Sequence, residues 1–141
     1  MTDLEILVKE FFNEYERANA EFDIQRIAEC YADAFMFGGP AGVQPVKKEE
    51  FVKVLPRRKE FFKSSGLVAS TIESLEVLSL DSKYVLVKVV WRMRFDRKEG
   101  DPIDSENSAT YILSIAGNRP EIVFQIDHQD LAKRVQELGL K

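Results

Sequence analysis

Apolar residues recur every three or four positions as far as Gly66 and every second position beyond it. The first stretch predicts helices and the second predicts strands. Thr2 and Glu5 have capping-box spacing, and Leu4, Val8, Phe11, Tyr15 and Ala18 then fall on one helical stripe. Asp23 is placed to cap a second, short helix whose inner face is Ile27, Ala28 and Tyr31. "AFMF" (34–37) reads as a short strand, ended by the turn "GGPAG". A brief return through Val43 leads to a third helix from about Lys47, with Phe51, Leu55 and Phe62 apolar. Pro56 removes a backbone donor there and predicts a kink or a restart. Gly66 suits the residue just past a helix end.

Four strand-like segments follow, at about 68–80, 83–96, 106–116 and 121–128. The turns "LDSK" and "GNRP" and the longer "DRKEGDPIDS" join neighbours, so this half reads as an antiparallel meander. Helices first and a sheet afterwards, without βαβ alternation, give an α+β protein. The second segment is the most one-sided. Val85, Val87, Val89, Trp91, Met93 and Phe95 share one face, and Leu86, Lys88, Val90, Arg92 and Arg94 the other. The first face needs cover, and three N-terminal helices are there to supply it. A curved antiparallel sheet wrapped on one side by three helices leaves a cone-shaped hollow, the natural place for a ligand. The opposite, convex face carries Leu86, Val90, Ile112, Phe124 and Ile126. That patch is larger than monomers usually expose, so a homodimer through it is expected.

Length and charge narrow the classes. A chain of 141 residues is expected to form a single domain over 1–141 with its own core. The net charge of −4 opposes nucleic-acid binding, which is led by phosphate neutralisation. The one basic cluster, "PRRKEFFK" (56–63), reads as the wet side of a helix. No apolar run approaches the roughly 20 residues that span a bilayer, and the acidic start shows no signal-peptide pattern. Cys30 is alone, which fits a reducing cytoplasm and an inert buried thiol. No metal set is legible, since His128 is the only histidine and the acidic loop Glu99, Asp101, Asp104, Glu106 lacks calcium-loop spacing.

The element order, together with "MFGGPAG" before a helix and the ending "IVFQIDHQDLAKRVQELG", resembles the NTF2-like superfamily and its SnoaL-like branch. That branch holds polyketide cyclases, and the superfamily holds ketosteroid isomerases and limonene-epoxide hydrolase. The resemblance spans Phe11 to Gly139 and implies an NTF2-like, cystatin-like cone. In limonene-epoxide hydrolase a catalytic aspartate on the final strand stands three residues before a second one, as Asp127 stands before Asp130 here. The hydrolase's partner Arg and Asp would fall on Val89 and Trp91, and its water-positioning Tyr and Asn on Phe37 and Gly39. Epoxide hydrolysis is therefore not implied. SnoaL-like cyclases imply something simpler, a single aspartate base in a hydrophobic hollow.

On that reading Asp127 is the catalytic base, facing inward with Gln125 and Val123, while Ile122, Phe124, Ile126 and His128 face out. Tyr111 is its catalytic companion, a phenol able to donate to a developing oxyanion. Val89, Trp91, Met93, Gln125, Tyr15, Tyr31 and Phe37 are the expected ligand contacts. A carboxylate in such a hollow is costly to keep ionised without a donor. The implied chemistry is cofactor-independent proton transfer, of isomerase or cyclase type, on a small apolar carbonyl compound. A non-catalytic dimeric ligand-binding or dimerisation module stands beside it. An open hollow with a carboxylate near a phenol or indole favours the enzyme, and a filled cone the module.

Overall fold

Thr2 opens the fold: its hydroxyl accepts from the Glu5 backbone N–H at 3.1 Å, and the Glu5 carboxylate reaches back to the Thr2 N–H. This capping box starts α1 (Asp3–Ala20), which buries Val8, Phe12, Tyr15 and Ala18. The structure, a computed structural model, describes residues 2–139. Asp23 caps α2 (Ile24–Glu29) by accepting from the Arg26 N–H at 3.2 Å. The chain then enters β1 (Tyr31–Gly39) and returns as β2 (Gly42–Lys47) before α3 (Lys48–Ser64).

No restart occurs at Pro56, since α3 runs through it as one helix. The missing N–H removes a single bond, and the ring sits on the exposed side while Leu55 and Phe62 hold the flanking turns in the core. Past the end of α3, Gly66 has φ +89° and its carbonyl accepts from the Asp96 N–H at 2.8 Å. This is the left-handed residue expected there, and it ties the helix end to the sheet.

The meander follows as β3 (Leu67–Ser79), β4 (Tyr84–Phe95), β5 (Ile103–Ser114) and β6 (Glu121–Asp127). Sheet order is β2-β1-β6-β5-β4-β3. Four of the five pairings are antiparallel, but β1 and β6 run parallel, so the sheet is mixed and not antiparallel throughout. A parallel pair needs a long crossover, and everything between β1 and β6 supplies it. Short turns advertise only the neighbours they join.

Helix side chains Val8, Phe12, Tyr15 and Leu55 pack on Val85, Val87, Val89, Trp91, Tyr111 and Leu113. Each fully buried apolar side chain of this size is worth about 1.5–3 kcal/mol. The one-sided face of β4 is thus covered as its alternation requires. A second cluster joins Phe62, Met93 and Phe95 to Val135 of α4 (Leu131–Glu137), whose N-cap Asp130 accepts from the Lys133 N–H at 3.1 Å. No described helix is long and apolar enough to cross a membrane.

One feature of β6 positions the site. Ile112 pairs with Phe124 but Leu113 pairs with Ile122, so Val123 is an extra, bulged residue. The bulge resets the phase of the strand. Ile122 is the residue that turns into the core, and the expected inward Val123 does not. Gln125 and Asp127, opposite Tyr111 and Ala109, keep the inner face.

Candidate functional site

Asp127 ends β6 beneath the helices, and Gln125 shares its face. The Gln125 Nε2 donates to Asp127 Oδ1 at 3.0 Å, which leaves its Oε1 to accept from the Tyr31 hydroxyl. Tyr31 has one proton and gives it to Gln125, so at 2.7 Å the Tyr15 hydroxyl is the donor to Tyr31. The carboxylate thereby fixes the direction of a hydrogen-bond chain reaching across to α1. Nearby, the Trp91 Nε1 donates to the Tyr111 hydroxyl at 3.2 Å, and Tyr111 in turn gives its proton to the Tyr15 hydroxyl, which extends the chain to β5. Burial is the largest cause that lifts Tyr15, Tyr31 and Tyr111 well above the ordinary phenol value. All three remain neutral donors at physiological pH.

Two hollows meet at Asp127. The inner one, about 70 Å³, lies under Tyr15, Trp91, Met93, Tyr111 and Gln125. That is room for roughly five water-sized atoms. The outer one, about 420 Å³, is bounded by Phe37, the β1–β2 turn and the start of α4. Asp127, Arg58, Gln129 and Leu131 belong to both walls. Of the residues expected at the site, Asp127, Tyr111, Trp91, Met93, Gln125 and Tyr15 line the inner hollow, and Phe37 the outer. Tyr31 lies behind Gln125. Val89, 1% exposed, is core and lines neither hollow. His128 faces the other way, its Nε2 at 2.8 Å from the Thr110 hydroxyl.

Two residues escape a reading by composition. Asn107 lies on β5 opposite Trp91, is 7% exposed, and leaves its Oδ1 without a hydrogen-bond partner. Its signal was available: it shares the inward phase of Ala109 and Tyr111, and a polar residue in a buried phase needs a reason. Arg58 belongs to the basic cluster read as wet. It sits on the same stripe of α3 as Leu55 and Phe62, with its guanidinium 5.1 Å from the centre of the Phe62 ring. Arg57 and Lys59 line neither hollow.

Residues 3–129 match the family described as NTF2-like protein (DUF6841). The chain belongs to this family. No curated protein matches it. Solved structures resemble it throughout. A cystatin-like-fold protein of unknown function from Nostoc punctiforme has a TM-score of 0.70 at 10% identity, covering 92% of this chain and 94% of that one. The benzoate 1,2-dioxygenase beta subunit from Burkholderia mallei gives 0.69 at 17% identity, covering 89% and 90%. A ketosteroid isomerase-like protein from Erwinia carotovora atroseptica gives 0.67 at 15%, covering 91% and 97%. At these identities the likeness is one of fold. The fold of this DUF6841 chain is thus shared with a dioxygenase subunit and a ketosteroid isomerase-like protein, and its chemistry has to be argued from its own side chains.

Proposed function

We propose that the protein binds a small carbonyl compound in the cone and moves a proton on the carbon beside the carbonyl, without a cofactor, in the manner of SnoaL-like enzymes. The observation that carries this is Asp127, a carboxylate held by Gln125 at the junction of the two hollows. Its Oδ1 takes the Gln125 hydrogen bond and its second oxygen is available as the base. Removal of the C–H proton leaves the electron pair on the carbonyl oxygen as an enolate, and Asp127, now protonated, returns the proton to carbon. When substrate binds, Tyr111 turns its O–H from the Tyr15 hydroxyl to the enolate oxygen while the Trp91 N–H supports it from behind. The lone, buried Cys30 suits work in the reducing cytoplasm.

The test uses pyruvate and hydroxyacetone in heavy water, following by proton NMR the loss of hydrogens beside each carbonyl. The native chain should accelerate exchange, and Asp127→Asn should return it to the buffer rate while the folded spectrum persists. Equal exchange by both proteins would remove Asp127 from the mechanism. A second reading, a ligand-binding module without turnover, is favoured by the small inner hollow. Binding of either compound without any exchange would establish that reading instead.

The same proposal includes a homodimer through the outer face of the sheet. Met36, Phe124, Ile112, Leu86 and Leu78 form one apolar row across five strands. Leu78 at its end is 57% exposed.

A further inference from the structure

We infer that the ligand of this cavity is a small carboxylic acid that also carries a hydrogen-bond donor: its acid group lies on Arg58 and its hydroxyl or amino group on Asn107. The inference rests on the cone being a ligand site, as proposed above, and names what the site selects.

Two independent observations converge on it. The first is Asn107. Its Nδ2 lies 3.0 Å from Met93 Sδ, and a thioether accepts but does not donate, so the amide is oriented with Oδ1 away from the sulfur. That oxygen is buried and has no partner, on a residue that lines the inner hollow. Buried acceptors of this kind are almost always matched, by water or by a ligand. Only a donor satisfies it. A ketone oxygen or a carboxylate placed there would meet like partial charge.

The second is Arg58. Arg58 lines both hollows, and it enters no ion pair among the described residues although acidic side chains are plentiful elsewhere on the chain. It does not bridge to Asp127, the carboxylate that shares its walls. The positive charge is nevertheless felt inside, where it lowers the pKa values of Tyr15 and Tyr31 against the larger effect of burial. A guanidinium offers a planar fork of donors that fits a carboxylate in two parallel bonds.

The spacing agrees. Asn107 and Asp127 are diagonal neighbours across β5 and β6, since Asp127 is opposite Ala109. Such pairs stand roughly 7–8 Å apart, within the span of a short hydroxy- or amino-substituted acid, and Arg58 lines the same inner hollow. With about 70 Å³ inside, the donor end is the small end, and anything longer extends into the outer hollow.

Three compounds separate the terms. Hydroxypyruvate has acid, carbonyl and hydroxyl; pyruvate lacks the hydroxyl; hydroxyacetone lacks the acid. Titration calorimetry on the full chain should find hydroxypyruvate about tenfold or more tighter than either. Arg58→Gln should erase its advantage over hydroxyacetone and leave its advantage over pyruvate. Asn107→Leu should do the reverse. Should that buried variant not fold, the pyruvate comparison in the native chain still reads the same contact. Equal affinity for hydroxypyruvate and hydroxyacetone, an acid preference that survives Arg58→Gln, or no binding of any of the three overturns the inference. Its fate is separable from that of the proton-transfer reading. If exchange depends on Asp127 while the ranking collapses, only the ligand assignment falls; if the ranking holds without exchange, only catalysis does.

Discussion

Gln125 is the residue on which the interior depends most. It gives Asp127 a hydrogen bond and takes one from Tyr31, so Gln125→Leu strands a carboxylate and a phenol together. We expect a loss of about 2–5 kcal/mol in urea denaturation, against about 1–3 kcal/mol for Tyr31→Phe, which keeps the ring packing but leaves the Gln125 Oε1 and the Tyr15 O–H each without their Tyr31 partner. The phenols also set an alkaline limit. Because burial raises Tyr15, Tyr31 and Tyr111, their contribution is fully present below the unfolded phenol value of about 10 and is lost as pH climbs through the raised native values. The phenolate absorbance of these three should therefore lag behind free tyrosine and appear together with loss of the folded circular-dichroism spectrum. Cys30 behaves likewise. Burial pushes its thiol up to about 11, so alkylation by iodoacetamide should be slow in the native chain and fast in urea. Part of this scale was legible: the alternation of β5 puts Tyr111 on the inner face, and the family resemblance, not the phase of β6, singled out Asp127 and with it Gln125. Asn107 offered a signal as a polar residue in the buried phase of β5, whereas Arg58 offered none, because one arginine in a basic cluster carries no meaning until the hollow it borders is known.

Elements were read from the sequence wherever their signals are local. The capping box at Thr2, the caps at Asp23 and Asp130, and the alternation of β4 depend on residues a few positions apart. Gly66 belongs with them and carries a sharp expectation. A Cβ there would lie 2.3 Å from the Asp96 carbonyl oxygen, with φ at +89°. Gly66→Ala should cost more than about 1 kcal/mol and lower the urea midpoint. Val123 shows where local reading stops. A bulge is decided by the strand opposite, where Ile112 and Leu113 dictate which residue of β6 is skipped. Alternation counted along β6 alone places Val123 inward and misplaces Ile122. Pro56 is the complementary case: a strong local signal for disruption, outweighed by anchors on both sides of it.

At the scale of the molecule, the apolar row from Met36 to Leu78 predicts the state of assembly. Phe124→Glu should convert a dimer into a monomer in sedimentation velocity at micromolar concentration, with helical content unchanged. A native chain that sediments as a monomer would remove the dimer from the proposal. The sheet order was not legible, because nothing near β1 or β6 records that they pair across most of the chain. That pairing has a consequence in time. β6 comes after every other strand in sequence yet lies inside the sheet, between β1 and β5. The Tyr31–Gln125 hydrogen bond joins residues 94 positions apart. Contacts so distant form slowly, since loop-closure entropy must be met before they return anything. During synthesis the β3–β5 meander can assemble while β1 and β2 wait with an open edge. The interior is then completed by a keystone inserted at the end. Pulse-labelled hydrogen exchange should find β4 and β5 amides protected first and those of β1 and β6 together, later, so that a refolding chain has its scaffold well before it has a site.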